Sequence, residues 1–397
     1  MAELVVFADD LTGALDTGVV FAGEGRAVTV RWRPGPVAGG IAVYDTETRL
    51  AQPALAAAEL ADWVRVTPGL TCSETYMKMD STLRGPFAAA ANALATQLRC
   101  RGFVVAAASP GTGRTVVNGH LFVAGIPIER TEFAHDPASP VTGGDIAAIV
   151  RTQAGVAAAH LSLDQVRGNR SGLVKHLSSL GGAVVADAED ESDLLAIASA
   201  AAEVGGWLLV GSAGLAAAMA RLHGWRPPTP VRVETPQLYV CGSLNPVTRE
   251  QVRQLCRASG VAALEVQPGA PACGLEQVRT AWEERGFVVL ALPEQGLPHR
   301  LIAESLQDMA QLAAVAVRQL GLRRLFVTGG STLLAVAEAL ALTEFYPQGE
   351  VAPGVVFSRV GPAVAGDLEV ISKAGGFGPR DLLASLAGFG RDGIGAQ

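Results

Sequence analysis

The sequence predicts an α/β protein of two domains, each a mostly parallel sheet flanked by helices. Three observations carry this. Short apolar runs recur without the strict alternation of half-exposed strands, which marks strands covered on both faces. Each run ends in a Gly- or Asp-rich turn and leads into an Ala/Leu-rich amphipathic segment, the order of a βα unit. At 397 residues the chain is longer than one hydrophobic core usually organises, so two domains are expected.

Taken in order, Leu4–Phe7 precedes "ADDLTGALD", Phe103–Ala107 precedes "SPGTGR", and Leu208–Val210 precedes "GSAGLAAAMARL". Leu238–Val240 precedes "CGSLNP", and Leu325–Val327 precedes "TGGSTLLAVAEAL". Each is read as strand, turn and helix. The stretch "HGWRPPTPVRVETP", His223–Pro236, breaks the pattern, because its prolines cannot continue a helix and no apolar period crosses it. The expected domains are therefore residues 1–225 and 236–397. In the second, "GLPHRLIAESLQDMAQLAAVAVRQLG" reads as one long amphipathic helix whose simplest role is packing.

Composition narrows the function classes. The chain is 49% hydrophobic and 17% charged with mean hydropathy +0.30, which suits a compact globule. No apolar run reaches the roughly 18 residues of a membrane span, so no membrane partner is expected. "MAELVVFADD" lacks the basic start of a signal peptide. A net charge of −7 without a basic block argues against nucleic acid. The cysteines are five and form no CxxC pair, which reads as reduced thiols in a cytoplasmic protein. The histidines show no HExxH spacing, and no metal site built from protein side chains is expected. A homodimer is the assembly to test.

Ligands of open α/β sheets sit at the carboxyl ends of strands, so each turn named above is a candidate. In the first half these turns are acidic and hydroxyl-rich. "ADDLTGALD" places Asp9 and Asp10 at a strand end; one can cap the following helix, and two exceed what a cap needs. "DTETR", Asp45–Arg49, is a second such turn and can be read as merely polar. "MKMDSTLRG" brings Lys78, Asp80, Ser81, Thr82 and Arg84 together. Among 31 basic residues only Lys78, Lys175 and Lys373 are lysines, so a lysine here stands out. "GTGRTVVNG" adds Arg114 and Asn118. Carboxylates and amides bind hydroxyls, while Arg and Lys bind a carboxylate, so the set suits a small polyhydroxylated anion.

In the second half the turns are glycine-rich. "CGSLNPVT" and "TGGSTLL" follow strands and open helices, where backbone N–H groups attract phosphate. "SKAGGFG", Ser372–Gly378, is a third. Glycine is also common in tight αβ turns for conformational reasons alone. Neither a Walker A motif nor GxGxxG after a strand is present. A polyol-acid grip beside a phosphate grip points to phosphoryl transfer across a cleft between the domains.

These motifs resemble the four-carbon acid sugar kinases, a family formerly known as a domain of unknown function, over nearly the whole chain. The resemblance rests on "ADDLTGALDTG", "DTETR", "MKMDSTLRG", "GRTVVNG" with "GIPIERTEFAHDP", "GSAGLA", "TGGST", "GEVAPGV" and "SKAGGFG". It implies an ATP-dependent kinase acting on the terminal hydroxyl of a tetronate such as threonate, erythronate or a 3-oxo-tetronate, with Mg²⁺ on the ATP phosphates. It implies an acid site of Asp9, Asp10, Lys78, Asp80, Ser81, Thr82 and Arg84, with Asp80 or Asp10 as general base. It implies a nucleotide site of Ser243, Gly329, Gly330, Ser331, Thr332, Lys373, Gly375 and Gly376. Two departures are visible: Ser331 stands where the family usually has Asp, and Thr48 where it tends to have Ser. Two further readings keep the fold: a sugar-acid sensor with a degenerate nucleotide site, and a kinase for a 4-hydroxy amino acid.

Overall fold

The computed structural model describes residues 2–35, 39–67, 70, 74–136, 139–268, 271–294, 298–361 and 367–389. The chain divides into two compact units, Met1–Pro227 and Pro228–Gln397.

The N-terminal unit runs β1 (Ala2–Ala8), α1 (Leu11–Val20), β2 (Val28–Arg31), β3 (Gly40–Asp45), α2 (Pro53–Val66), β4 (Glu74–Lys78), α3 (Phe87–Gln97) and β5 (Gly102–Ala106). It continues with β6 (Arg114–Val117), β7 (His120–Val123), β8 (Ile126–Pro127), α4 (Ile146–Ala154), β9 (Ala158–Leu161), α5 (Leu163–Val166), α6 (Arg170–Ser179), β10 (Gly182–Ala186), α7 (Glu191–Val204), β11 (Trp207–Gly211) and α8 (Ala213–Leu222). Its main sheet has the order β2-β3-β1-β4-β11-β5-β10-β9, and every neighbouring pair is parallel. Val5, Val6, Val43, Val104, Val105 and Val184 are wholly buried between the helical layers. Each such side chain contributes about 1.5–3 kcal/mol over an exposed one, which explains the unalternated apolar runs.

One expected βα unit is a different structure. The "SPGTGR" turn after β5 leads into the antiparallel hairpin β6–β7, which β8 extends. The cause is turn chemistry. Asn118 (φ 54°) and Gly119 (φ 73°) both occupy the left-handed region, as a two-residue primed hairpin turn requires, and Val117 pairs with His120 across it.

The C-terminal unit runs β12 (Leu238–Cys241), α9 (Pro246–Ser259), β13 (Leu264–Glu265), α10 (Pro271–Arg285), β14 (Val288–Ala291), α11 (His299–Leu320), β15 (Arg324–Thr328), α12 (Gly330–Ala339), β16 (Phe345–Ala352), β17 (Val355–Val360), β18 (Glu369–Lys373) and α13 (Leu382–Leu386). Strands β13, β14, β12, β15 and β18 pair in parallel, whereas β17 joins β18 and β16 in antiparallel register. Tyr239, Phe326, Val289 and Leu383 anchor its core. The long segment read as one helix forms α11. Among the described residues no helix is long and apolar enough to cross a membrane. Cys100, Cys241 and Cys256 are free thiols; Cys72 lies outside the described residues.

Candidate active site

In the N-terminal unit three strand ends coincide. Ala8 of β1 stands opposite Asp45 of β3 on one side and Lys78 of β4 on the other. The residues that follow these ends therefore crowd into one place. Asp10 caps α1: its Oδ1 accepts from the Gly13 N–H and its Oδ2 from the Thr12 hydroxyl, both at 2.8 Å. The cap role is real, and Asp10 also forms an ion pair with Arg49 Nη1 at 2.5 Å.

Arg49 is the hub. Its Nε and Nη2 bind Asp9 in a two-pronged contact, each at 2.8 Å, and Nη2 lies 3.7 Å from Asp80 Oδ1. The "DTETR" turn that delivers it is stitched to the end of β1. Thr46 donates its backbone N–H and its hydroxyl to the Ala8 carbonyl, the Thr46 and Thr48 hydroxyls bond each other, and the Arg49 N–H binds the Asp9 carbonyl. The turn is thus a strap that inserts a guanidinium among three carboxylates, which the bland reading of a polar turn missed. The nearest sequence signal was an Arg four residues past a strand end inside a hydroxyl-rich run.

Asp80 is held from the other side. Arg84 Nε and Nη2 bind its two oxygens at 2.8 and 3.1 Å, the Thr82 hydroxyl binds Oδ2, and Arg84 Nη1 reaches Asp136 at 3.0 Å. Burial alone would raise the Asp80 carboxyl, but Arg84 and then Arg49 hold it well below the ordinary carboxylate range. For Asp9 burial prevails over Arg49 and the carboxyl is raised. Asp45 is raised well above its usual value by burial and by Glu47; its Oδ1 accepts the Glu47 N–H, while its Oδ2 is buried without a hydrogen-bond partner. Lys78 is 4% exposed and donates to the Met79 carbonyl at 2.8 Å. Ser81 is half-buried. Gly85 (φ 82°) passes the Arg49 backbone so closely that a Cβ would lie 2.8 Å from its carbonyl oxygen. Gly13 likewise leaves room for Asp10 and Lys78, since a Cβ there would lie 2.6 Å from Asp10 Oδ1 and 3.0 Å from Lys78 Nζ.

Asp9, Asp10, Lys78, Asp80, Thr82 and Arg84 are therefore brought together, with Ser81 on the same turn. Arg49 and Asp136 join them and were absent from the residues expected from sequence. Arg114 is buried and donates to the Thr112 carbonyl, and Asn118 sits at the hairpin turn, its backbone N–H on Asp187 at 2.9 Å.

In the C-terminal unit the ends of β12, β15 and β18 carry the glycine turns. Gly329 (φ 102°) precedes α12, and no side chain caps that helix, so its first N–H groups are open to an anion. Gly330 and Ser331 lie at that end and are accessible, whereas Thr332 is 2% exposed and packs over Gly242, where a Cβ would stand 2.3 Å from its hydroxyl oxygen. Gly375 faces Ser243: a Cβ would lie 2.1 Å from Ser243 Oγ. Gly376 is exposed beside Asn245. Thr248 and Gln251 hold this turn from α9, the Thr248 hydroxyl on the Gly375 carbonyl at 2.7 Å and the Gln251 amide on the Pro379 carbonyl at 2.8 Å. Lys373 lies beneath, 1% exposed. Its Nζ donates to Thr248 Oγ1 and to the Ala374 and Gly375 carbonyls, each at 3.1 Å. It tethers the turn from its buried side.

Residues 4–219 match the sugar-binding N-terminal domain family and residues 238–383 the nucleotide-binding C-terminal domain family. A D-threonate kinase of Salmonella typhimurium is 34% identical, with 96% of each chain covered. The chain belongs to the four-carbon acid sugar kinase family. A D-erythronate kinase of Heliobacterium modesticaldum is 29% identical over 98% of this chain and 97% of its own. A solved Salmonella typhimurium structure, described as a putative tRNA synthase, shares the fold with TM-score 0.76 at 21% identity, covering 96% of this chain and 97% of that one.

The buried arginine–carboxylate network lies within the sugar-binding match and the glycine turns within the nucleotide-binding match.

Proposed function

We propose that this chain is an ATP-dependent kinase that phosphorylates the terminal hydroxyl of a four-carbon sugar acid, binding the acid in the N-terminal unit and the nucleotide in the C-terminal unit. The observation that carries the reading is the arginine–carboxylate network at the ends of β1, β3 and β4. Relatives over nearly the full chain are named for D-threonate and D-erythronate, four-carbon acids that differ in stereochemistry. They favour this reading over a sensor or an amino acid kinase.

Lys78, Ser81 and Thr82 line the acid site, where Lys78 serves the substrate carboxylate or the transferred phosphoryl group. Arg84 positions Asp80 and does not itself hold the substrate carboxylate, because its donors already serve Asp80 and Asp136. Asp80 is a strong acceptor and a weak base: two guanidinium groups stabilise its charged form. Phosphoryl transfer asks little of a base before the transition state, so Asp80 orients the attacking hydroxyl and accepts its proton late. Asp10, committed to its helix cap and to Arg49, positions rather than deprotonates.

Ser243, Gly329, Gly330, Ser331, Gly375 and Gly376 would hold the nucleotide. The fit rests on two features: an uncapped α12 terminus, and glycines at which a Cβ would occupy the turn. Bound ATP supplies the phosphoryl group. Mg²⁺ would accompany ATP on its phosphates. A coupled ADP-release assay over a panel of tetronates tests the reading. Turnover with at least one four-carbon acid is expected, and none with any of them would sink it.

A further inference from the structure

We propose that Lys373 is a buried amine without a counter-charge, and that a nucleotide phosphate bound at the glycine turns around it draws a proton onto it. This rests on the nucleotide-site reading above and goes beyond it.

Three features of the geometry lead there. First, the acceptors of Nζ are all neutral: the Thr248 hydroxyl and the Ala374 and Gly375 carbonyls. Second, the described residues that neighbour it from the adjoining strands bring no compensating charge. From β12 comes the Cys241 thiol, pushed up to about 12 by burial and therefore neutral. From β15 comes Thr328, which stands opposite Lys373 in the sheet and bonds Thr248 at 3.2 Å; from β17 comes Val355. On α9, Arg249 is engaged by the Pro293 and Glu294 carbonyls and Arg253 by Glu250 and Glu294. Among the described residues no carboxylate forms an ion pair with Lys373. Third, the turn it tethers carries Gly375 and Gly376, and the neighbouring α12 terminus has no side-chain cap. An anion at these turns would therefore meet a lysine that pairs with no described carboxylate.

A buried ammonium with only neutral partners loses its proton readily, and burial lowers Lys373 to about 7. A phosphate in these low-dielectric surroundings supplies the missing charge and restores the ammonium. The sign follows. Without ligand, the folded chain binds fewer protons at Lys373 than the unfolded chain between pH 7 and the ordinary lysine value of 10.5, so folding stability rises with pH across that window. Nucleotide affinity falls across the same window, because binding must take up a proton. Lys373 is thus a positioning residue, and its protonation is coupled to ligand binding.

The test is calorimetric titration of the full chain with Mg²⁺–ADP at pH 8 in two buffers of low and high ionisation enthalpy. The expected result is an enthalpy that differs between buffers by an uptake of about 0.5–1 proton per nucleotide. Lys373→Met should abolish the uptake, a loss that a purely structural lysine would not produce. Should that variant not fold, the wild-type affinity between pH 7 and 10 decides, with a fall approaching tenfold per pH unit expected over the upper part of the window. Binding with the same enthalpy in both buffers overturns the inference while the nucleotide reading stands. No binding at any pH overturns both.

Discussion

At the ends of β1, β3 and β4, Arg49 and Arg84 are shared among Asp9, Asp10, Asp80 and Asp136. At the ends of β12, β15 and β18, the buried ammonium of Lys373 meets only a hydroxyl and two carbonyls. Both regions bury charge, and burial penalises charge in both. The first region compensates it internally, which leaves a rigid array of oriented acceptors suited to hydroxyl groups. The second leaves the compensation to a ligand, which suits phosphate. The difference is that one strand-end site pairs its buried charges within the chain, whereas Lys373 meets only neutral partners.

The largest expected effect comes from breaking the compensated side. Arg49→Met leaves three carboxylates without their shared cation, and removing one partner of a buried ion pair typically costs about 3–5 kcal/mol. Denaturant unfolding should show that loss, together with loss of kinase activity. Arg49→Lys should not rescue, because a point charge cannot reproduce the two-pronged contact with Asp9. If Arg49→Met unfolds like wild type, the network is not the organising feature of this unit.

Next is Asp80→Asn, which keeps the shape but removes the charge that orients the hydroxyl. A fall in kcat of about 10²-fold or more is expected, together with a lower melting temperature because Arg84 and Arg49 lose a buried anionic partner, read by steady-state kinetics below the melting transition. Activity near wild type would remove Asp80 from the reaction.

The smallest effect is on the glycine side. In Gly375→Ala the new Cβ meets Ser243 Oγ, so KM for the nucleotide should rise about tenfold, equivalent to about 1.4 kcal/mol of overpacking, with KM for the sugar acid unchanged. Adding Ser243→Ala should recover part of the loss by removing the colliding oxygen. Equal changes in both KM values would mean that the turn does not serve the nucleotide alone.

Much of this site was legible along the chain. "ADDLTGALD" and "MKMDSTLRG" announced themselves by packing acidic, hydroxyl and basic groups into single strand-end turns, and the structure brings Asp9, Asp10, Lys78, Asp80 and Arg84 together. Arg49 was not legible, because its partners Asp9 and Asp10 lie on another strand and nothing local to "DTETR" specifies that β3 neighbours β1. The hairpin at "GRTVVNG" follows from its Asn-Gly turn, in which both residues take positive φ. Lys373 stands out in the sequence by its rarity, but its burial among neutral partners depends on Thr248, which lies on another element.

By itself the sequence determined the α/β class, the strand-end turns and the residue types gathered in them. Those properties are local: period, turn chemistry and side-chain type act within a few residues. Only the tertiary structure decided which charges are paired. Arg49 meets Asp9 across 40 positions of chain, Arg84 meets Asp136 across 52, and Lys373 meets Thr248 across 125. Strand order places those groups side by side, and burial then decides whether a charge must be shared, surrendered or met by a ligand.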